Sequence, residues 1–410
     1  MRRTPARRLA AALLTLSTLL PVALAAPPAE ARHRPTTLLP APPAAATAAH
    51  PAATVSTEGL DPALVARLDE AIERVRQETG TPGVIAGLWL PGRGEYLKTF
   101  GVADKQTGEP MDPAMHFRIG SETKTFTITA LLKLVDWGLV DLDAPISTYL
   151  DGVPCGDEIT IRQMAEMRSG LYSYTFDPDF QHDLLSNPQR SFTPQELLGY
   201  AFKHDNVFAP GTQFQYSNTN TVLLGLVVEK LGNLPLQDFL LRNVTGPAGL
   251  DETFLAHDTA LPSPYPHGYT NQTLSGEVED STHWNPSWAW AAGAMVSDLC
   301  DLRDWAKVLA TGELLTPATQ HEREKFVPVP GLSDGGYGLG LFATHGWIGH
   351  DGSLPGYESV TMYLPEADAT MVILLNTDVL HDGHEPSGLF AKAVTEIATP
   401  DHVYTLPSRP

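Results

Sequence analysis

Cysteine is nearly absent: Cys155 and Cys300 are the two in 410 residues. That excludes a multi-cysteine metal site and a scaffold held by several disulfides. One bridge stays open, should the two meet in space. Cations are scarce too, with Lys and Arg totalling 27 against 48 Asp and Glu, a formal net charge of -21. Nucleic acids and anionic membrane surfaces are bound by clustered basic side chains, so neither is an expected partner. The basic residues that do cluster, Arg2, Arg3, Arg7 and Arg8, stand before an apolar run from Leu9 to Ala25 that closes on Ala23-Leu24-Ala25. A charged start, a short apolar core and a small-x-small end describe a signal peptide over residues 1–25. The alternative, an uncleaved membrane anchor, is opposed by the shortness of the run and by Pro21. The expected location is therefore secreted, extracellular.

Residues 26–57 are dominated by Ala, Pro and Thr and read as a linker; residues 58–400 form the candidate folded domain, and 401–410 a tail. Leu64, Leu68, Ile72 and Val75 share one face of a helix predicted over Pro62–Thr79. Strands are predicted over Val84–Leu90 and Glu95–Val102, around the turn Pro91-Gly92-Arg93-Gly94. A second hairpin, Tyr357–Leu364 and Thr370–Asn376, precedes a closing helix over Pro386–Ile397. Between them, Thr123–Trp137, Ile161–Arg168, Pro194–Phe202, Thr221–Leu231 and Leu236–Val244 read as helices. The expected fold is α/β: an antiparallel sheet flanked by N- and C-terminal helices, with an all-helical domain inserted at about 125–290. The active site then belongs in the cleft between the two parts. His381-Asp382-Gly383-His384-Glu385 is the densest ligand-like cluster, but its place between a strand and a helix reads as a solvated loop. No metal or cofactor is expected.

Ser121-Glu122-Thr123-Lys124 opens a helix. A serine and a lysine at i and i+3 lie on one face, close enough to exchange a proton. The helix start favours an alkoxide, and a desolvated lysine there can act as general base. The competing reading makes Ser121 a helix cap. Tyr216-Ser217-Asn218 directly precedes another helix. Tyr216 can relay a proton to the leaving group, and Asn218 can hold both Lys124 and a substrate carbonyl. A packing aromatic and a helix cap are the alternatives for these two. His350-Asp351-Gly352 ends a strand predicted over Thr344–Gly349. Gly352 permits close approach of a substrate backbone, and the Ser353 amide with that of Ser121 can form an oxyanion hole.

The order Ser-x-x-Lys, Tyr-x-Asn, His-x-Gly resembles the penicillin-recognising serine hydrolases, in particular class C β-lactamases and the secreted D-alanyl-D-alanine carboxypeptidases. Similarity runs from about Leu64 to Val394 and includes Arg168-Ser169-Gly170-Leu171-Tyr172 and Tyr337-Gly338-Leu339-Gly340-Leu341. The resemblance implies that Ser121 is acylated, that Lys124 and Tyr216 move its proton, and that Asn218 and His350 hold the substrate. Trp288 matches a cleft-lining tryptophan of the carboxypeptidases, with an ordinary core aromatic as the alternative. It also implies a carboxypeptidase-like peptidase acting on a small peptide, amide or ester. A peptidoglycan stem peptide is a candidate substrate, and β-lactams are candidate inhibitors.

Two positions depart from that pattern. Phe342 stands where the carboxypeptidases carry an arginine for the substrate carboxylate, and Asp351 stands where they carry a threonine. Losing a cation and gaining an acid both act against a carboxylate. A D-amino-acid amidase or esterase of the same fold is therefore the alternative, since neither needs that grip. A non-turnover β-lactam or cell-wall binding protein is a third reading, opposed by the presence of Lys124, Tyr216 and Asn218. Gly331-Leu332-Ser333-Asp334-Gly335 also fits a nucleophile elbow, but Pro328 and Pro330 precede it where a strand is required.

Overall fold

A computed structural model describes residues 53–406. The expected signal peptide and the expected linker up to residue 52 lie outside the described residues, as does the chain from residue 407. Asp61 begins the first helix, α1 (Pro62–Thr79), by accepting a hydrogen bond from Ala63 N at 2.9 Å. Pro62 fits the first turn, where a backbone N–H would have no helical partner. The buried stripe is Leu68, Ala71, Ile72 and Val75, with Leu64 at its half-buried margin.

The sheet is built from both ends of the domain. Its strands are β1 (Gly83–Leu90), β2 (Gly94–Gly101), β3 (Gly335–Tyr337), β4 (Phe342–Thr344), β5 (Trp347–Leu354), β6 (Tyr357–Leu364) and β7 (Ala369–Leu375). They pair antiparallel in the order β2-β1-β7-β6-β5-β4-β3, with Val84 of β1 opposite Leu375 of β7. Four further helices matter to the site: α2 (Thr123–Asp136), α3 (Asn218–Gly232), α4 (Leu299–Thr311) and α5 (Pro386–Ala398). On one face of the sheet, α1 and α5 bury Ile72, Phe390 and Val394 against Leu88, Val360 and Ile373. On the other, Ile85, Val372 and Leu374 merge with Phe126, Leu299 and Leu302 of the helical part. Burial on both faces is why residues 371–375 of β7 read as an unbroken apolar run, each such side chain contributing about 1.5–3 kcal/mol.

Several predicted boundaries move for identifiable reasons. The helix expected to reach Arg168 stops at Ala165, and Met167 then takes a left-handed backbone, φ 59. The helix expected from Thr221 already starts at Asn218. That expected over Leu236–Val244 ends at Leu240 and widens into a π turn, Leu241–Thr245. The single strand expected over Thr344–Gly349 is broken by a left-handed turn at His345 and Gly346. His350-Asp351-Gly352 therefore lies inside β5 rather than at a strand end. Periodicity did not single out Pro178–Ser186, α4 or Pro317–Arg323. Cys155 and Cys300 are free thiols. Ser56, in the stretch read as linker, exchanges backbone hydrogen bonds with Leu97 at 2.9 and 2.7 Å. Tyr404, in the stretch read as tail, is buried. Among the described residues no helix is long and apolar enough to cross a membrane.

Candidate active site

The chain enters the site along a two-residue strand, Phe117–Arg118, paired with Met295–Ser297. It then tightens into a 3-10 turn, Gly120–Glu122, ahead of α2. Ser121 is the middle residue of that turn. The residue at the cap position of α2 is Glu122, and no side chain caps the helix. The helix-cap reading of Ser121 therefore fails. The turn sits against β5 so closely that a Cβ on Gly120, φ 51, would come within 2.7 Å of Ser353 N. A Cβ on Gly352 would collide with the Ile119 carbonyl oxygen. Both glycines are required by this approach, which brings the Ser353 amide beside the nucleophile turn.

Lys124 is fully buried, at 0% exposure, and Ser121 is 6% exposed. Lys124 Nζ donates to Ser121 Oγ at 3.0 Å and to the Ala292 carbonyl at 2.7 Å. Nζ also stands 4.8 Å from the centre of the Tyr216 ring. The first and second sequence motifs therefore meet. Asn218, the first residue of α3, donates its amide Nδ2 to Thr175 Oγ1 at 3.3 Å and its backbone N–H to Ser173 Oγ at 3.1 Å. Thr219 Oγ1 donates to the Tyr172 carbonyl at 2.7 Å, fastening the 172–175 loop beside the start of α3.

His350 is 1% exposed. Its Nδ1 lies 2.5 Å from the Asp351 carbonyl oxygen, which can only accept, so Nδ1 carries the proton of that bond. Its Nε2 lies 3.2 Å from the Tyr337 hydroxyl. Around it the rings of Phe342, Tyr337 and Tyr216 stand at 5.0, 5.8 and 6.1 Å. Phe342 and Tyr337 are themselves in edge contact at 4.6 Å. In place of a cation, this wall carries an aromatic box. Asp351 is buried beside it, Oδ1 3.4 Å from His350 Nδ1. Burial holds the Tyr337 phenol well above the usual tyrosine range.

Trp288 is half-buried, its ring 6.2 Å from Phe180 of the helical core, and its carbonyl accepts from Tyr174 OH at 2.7 Å. Ser333 lies in an exposed loop with a strand after it rather than a helix, so the elbow geometry is absent there. Sequence reasoning gave no role to Glu122, which is buried against β6. Burial pushes its carboxyl up to about 8, opposed by the Ser359 and Thr361 hydroxyls and assisted by the charge of Asp351. Nothing in the local sequence marks it, because its neighbours Ser121, Thr123, Lys124 and Thr125 are themselves polar.

A serine in contact with a buried lysine, at the junction of an antiparallel sheet and a helical region, is the arrangement of a serine hydrolase. The chain belongs to the Beta-lactamase family, whose model matches residues 68–394. Among solved structures it is similar to a D-stereospecific amidohydrolase from Streptomyces sp., at 33% identity and TM-score 0.70 over 76% of this chain and 94% of that one. It is similar to D-amino acid amidase from Ochrobactrum anthropi, at 29% identity and TM-score 0.71 over 81% and 98%. Among curated proteins, D-aminopeptidase of Cereibacter sphaeroides is 25% identical over 75% of this chain. Against that protein and its penicillin-binding and β-lactamase relatives, the chain spans 54 to 72% of the relative's own length.

Proposed function

We propose that the protein is a D-stereospecific amidohydrolase that forms an acyl-enzyme on Ser121 and releases neutral leaving groups. Ser121 Oγ attacks the carbonyl carbon of a D-aminoacyl amide or ester while its proton passes to Lys124. The amides of Ser121 and Ser353 take up the charge of the tetrahedral oxygen. Collapse breaks the C–N or C–O bond, and the proton reaches the departing atom through Tyr216. Water then attacks the ester on Ser121, gives its proton to the same base, and a D-amino acid leaves as Ser121 regains its hydrogen.

The observation that carries the neutral leaving group is Phe342, packed 5.0 Å from His350 on the wall where a carboxylate grip would stand. A carboxypeptidase needs a donor or cation there. A buried phenyl ring, with the Asp351 carboxyl nearby, disfavours the anion. The D-specificity is carried over from the amidohydrolase and amidase relatives, and export from the N-terminal sequence. The test is a substrate panel with D- and L-amino-acid amides, a nitrophenyl ester, a D-Ala-D-Ala peptide and a chromogenic cephalosporin. D-amide and ester hydrolysis far above D-alanine release is expected, with acylation of Ser121 seen by mass spectrometry. D-alanine release exceeding both rates would establish the carboxypeptidase reading instead. N-terminal sequencing of the exported chain tests the location.

A further inference from the structure

We infer that Trp290 is a positioning residue for the lysine base: its indole, seated on Gly225 of α3, holds a left-handed turn that aims the Ala292 carbonyl at Lys124. This rests on the reading of Lys124 as base to Ser121. Trp290 has φ 33, a backbone region that a bulky side chain avoids because its Cβ crowds the following carbonyl. Such outliers persist only where the surroundings hold them, and here the surroundings belong to the site. The turn delivers two consecutive carbonyls to one face of α2. Ala291 O accepts from Thr127 Oγ1 at 2.8 Å, and Ala292 O accepts from Lys124 Nζ at 2.7 Å. The Trp290 carbonyl is occupied within the turn by the N–H groups of Gly293 and Ala294, at 3.1 and 3.0 Å.

The other end of the device is α3. A Cβ on Gly225 would come within 2.6 Å of Ala291 Cβ and 3.0 Å of the Trp290 ring, so the bare glycine is what lets the turn seat on the helix. The helix that begins just after Tyr216 and the helix that carries Lys124 are thus joined through one strained residue. A neutral lysine has a single lone pair, and one N–H committed to Ala292 O turns that lone pair toward Ser121 Oγ. The groups facing Lys124 include the Ser121 hydroxyl from the 3-10 turn, the Ala292 carbonyl from the 290–292 turn, and the Tyr216 ring from the entry to α3.

The experiment follows fluorophosphonate acylation of Ser121 in the full chain as a function of pH, with melting temperature as the control for folding. In Trp290→Ala the acylation rate is expected to fall about thirtyfold or more, since displacements near 1 Å cost on the order of a hundredfold. The acid limb of the rate profile should move to lower pH, because an ammonium that loses its carbonyl acceptor is easier to deprotonate. Trp290→Phe, which keeps a ring on Gly225, should restore much of the rate. Wild-type acylation in a folded Trp290→Ala protein overturns the inference, and so does a slowed rate with an unmoved limb. Should Trp290→Ala not fold, Gly225→Ala reads the same displacement from the opposite side, and an unmoved limb there is equally decisive against it. Absence of any adduct on wild-type Ser121 would instead remove the hydrolase reading and leave the turn geometry unassigned.

Discussion

Lys124 Nζ and Ser121 Oγ are 3.0 Å apart, with the lysine fully enclosed. The pair is one helical turn of local geometry, yet it is usable only because the Ala292 carbonyl and the Tyr216 ring close over it. Ser121→Ala is expected to abolish fluorophosphonate labelling outright. Lys124→Met, similar in shape, should slow labelling by a factor on the order of a thousand or more while the protein stays folded. Labelling rates and circular dichroism on both variants check this.

Replacing Phe342 by arginine puts a cation beside the aromatic box. A charge-assisted hydrogen bond of about 1.5–3 kcal/mol corresponds to about ten- to a hundredfold in selectivity. Phe342→Arg should raise the rate on a D-Ala-D-Ala peptide relative to the corresponding D-amide by that order. Unchanged relative rates of D-alanine and ammonia release would refute the role given to the phenyl ring.

Glu122 predicts a pH dependence of stability. Its carboxyl is pushed up to about 8 by burial, from an ordinary value of 4.5. Between those values the folded chain keeps a proton that the unfolded chain has released, so stability falls as pH rises through the window. Below 4.5 both states are protonated, and above about 8 both are ionised, so the slope vanishes at each end. Glu122→Gln should remove a loss on the order of a few kcal/mol between pH 5 and 9. Urea unfolding at several pH values would show wild type and variant converging at acid pH and separating at alkaline pH.

The stack of Phe126 on Trp305, centroids 4.0 Å apart, anchors α2 to α4, and Trp305 Nε1 donates to Thr125 Oγ1 at 2.8 Å. Trp305→Ala should cost about 3–5 kcal/mol through the cavity left behind. Trp305→Phe should cost less, keeping the stack and losing the hydrogen bond. Denaturant midpoints on the two variants measure the difference.

Some of this was decided locally and was therefore legible in the sequence. The hairpins on either side of the helical region follow from turn residues between apolar runs, and α1 from its stripe of Leu68, Ile72 and Val75. The Ser121–Lys124 spacing is likewise a property of one helical turn. Even so, those four residues fit a helix cap equally well in sequence; what excludes the cap is the separate 3-10 turn Gly120–Glu122 pressed against β5.

Other features exist only once distant segments meet. The backbone acceptor that Lys124 meets is the carbonyl of Ala292, an atom that every residue carries and that no motif can mark. The left-handed turn at Trp290 is unfavourable on its own and is held by contacts with α2 and α3. The box around His350 gathers Tyr216 from one stretch of chain and Tyr337 and Phe342 from another. Glu122 acquires its raised carboxyl from enclosure by β6, not from its neighbours in sequence. Spacing along the chain encodes what a single turn or hairpin can satisfy; burial, acceptor geometry and shifted protonation belong to the packed whole, because they depend on what excludes water from the other side.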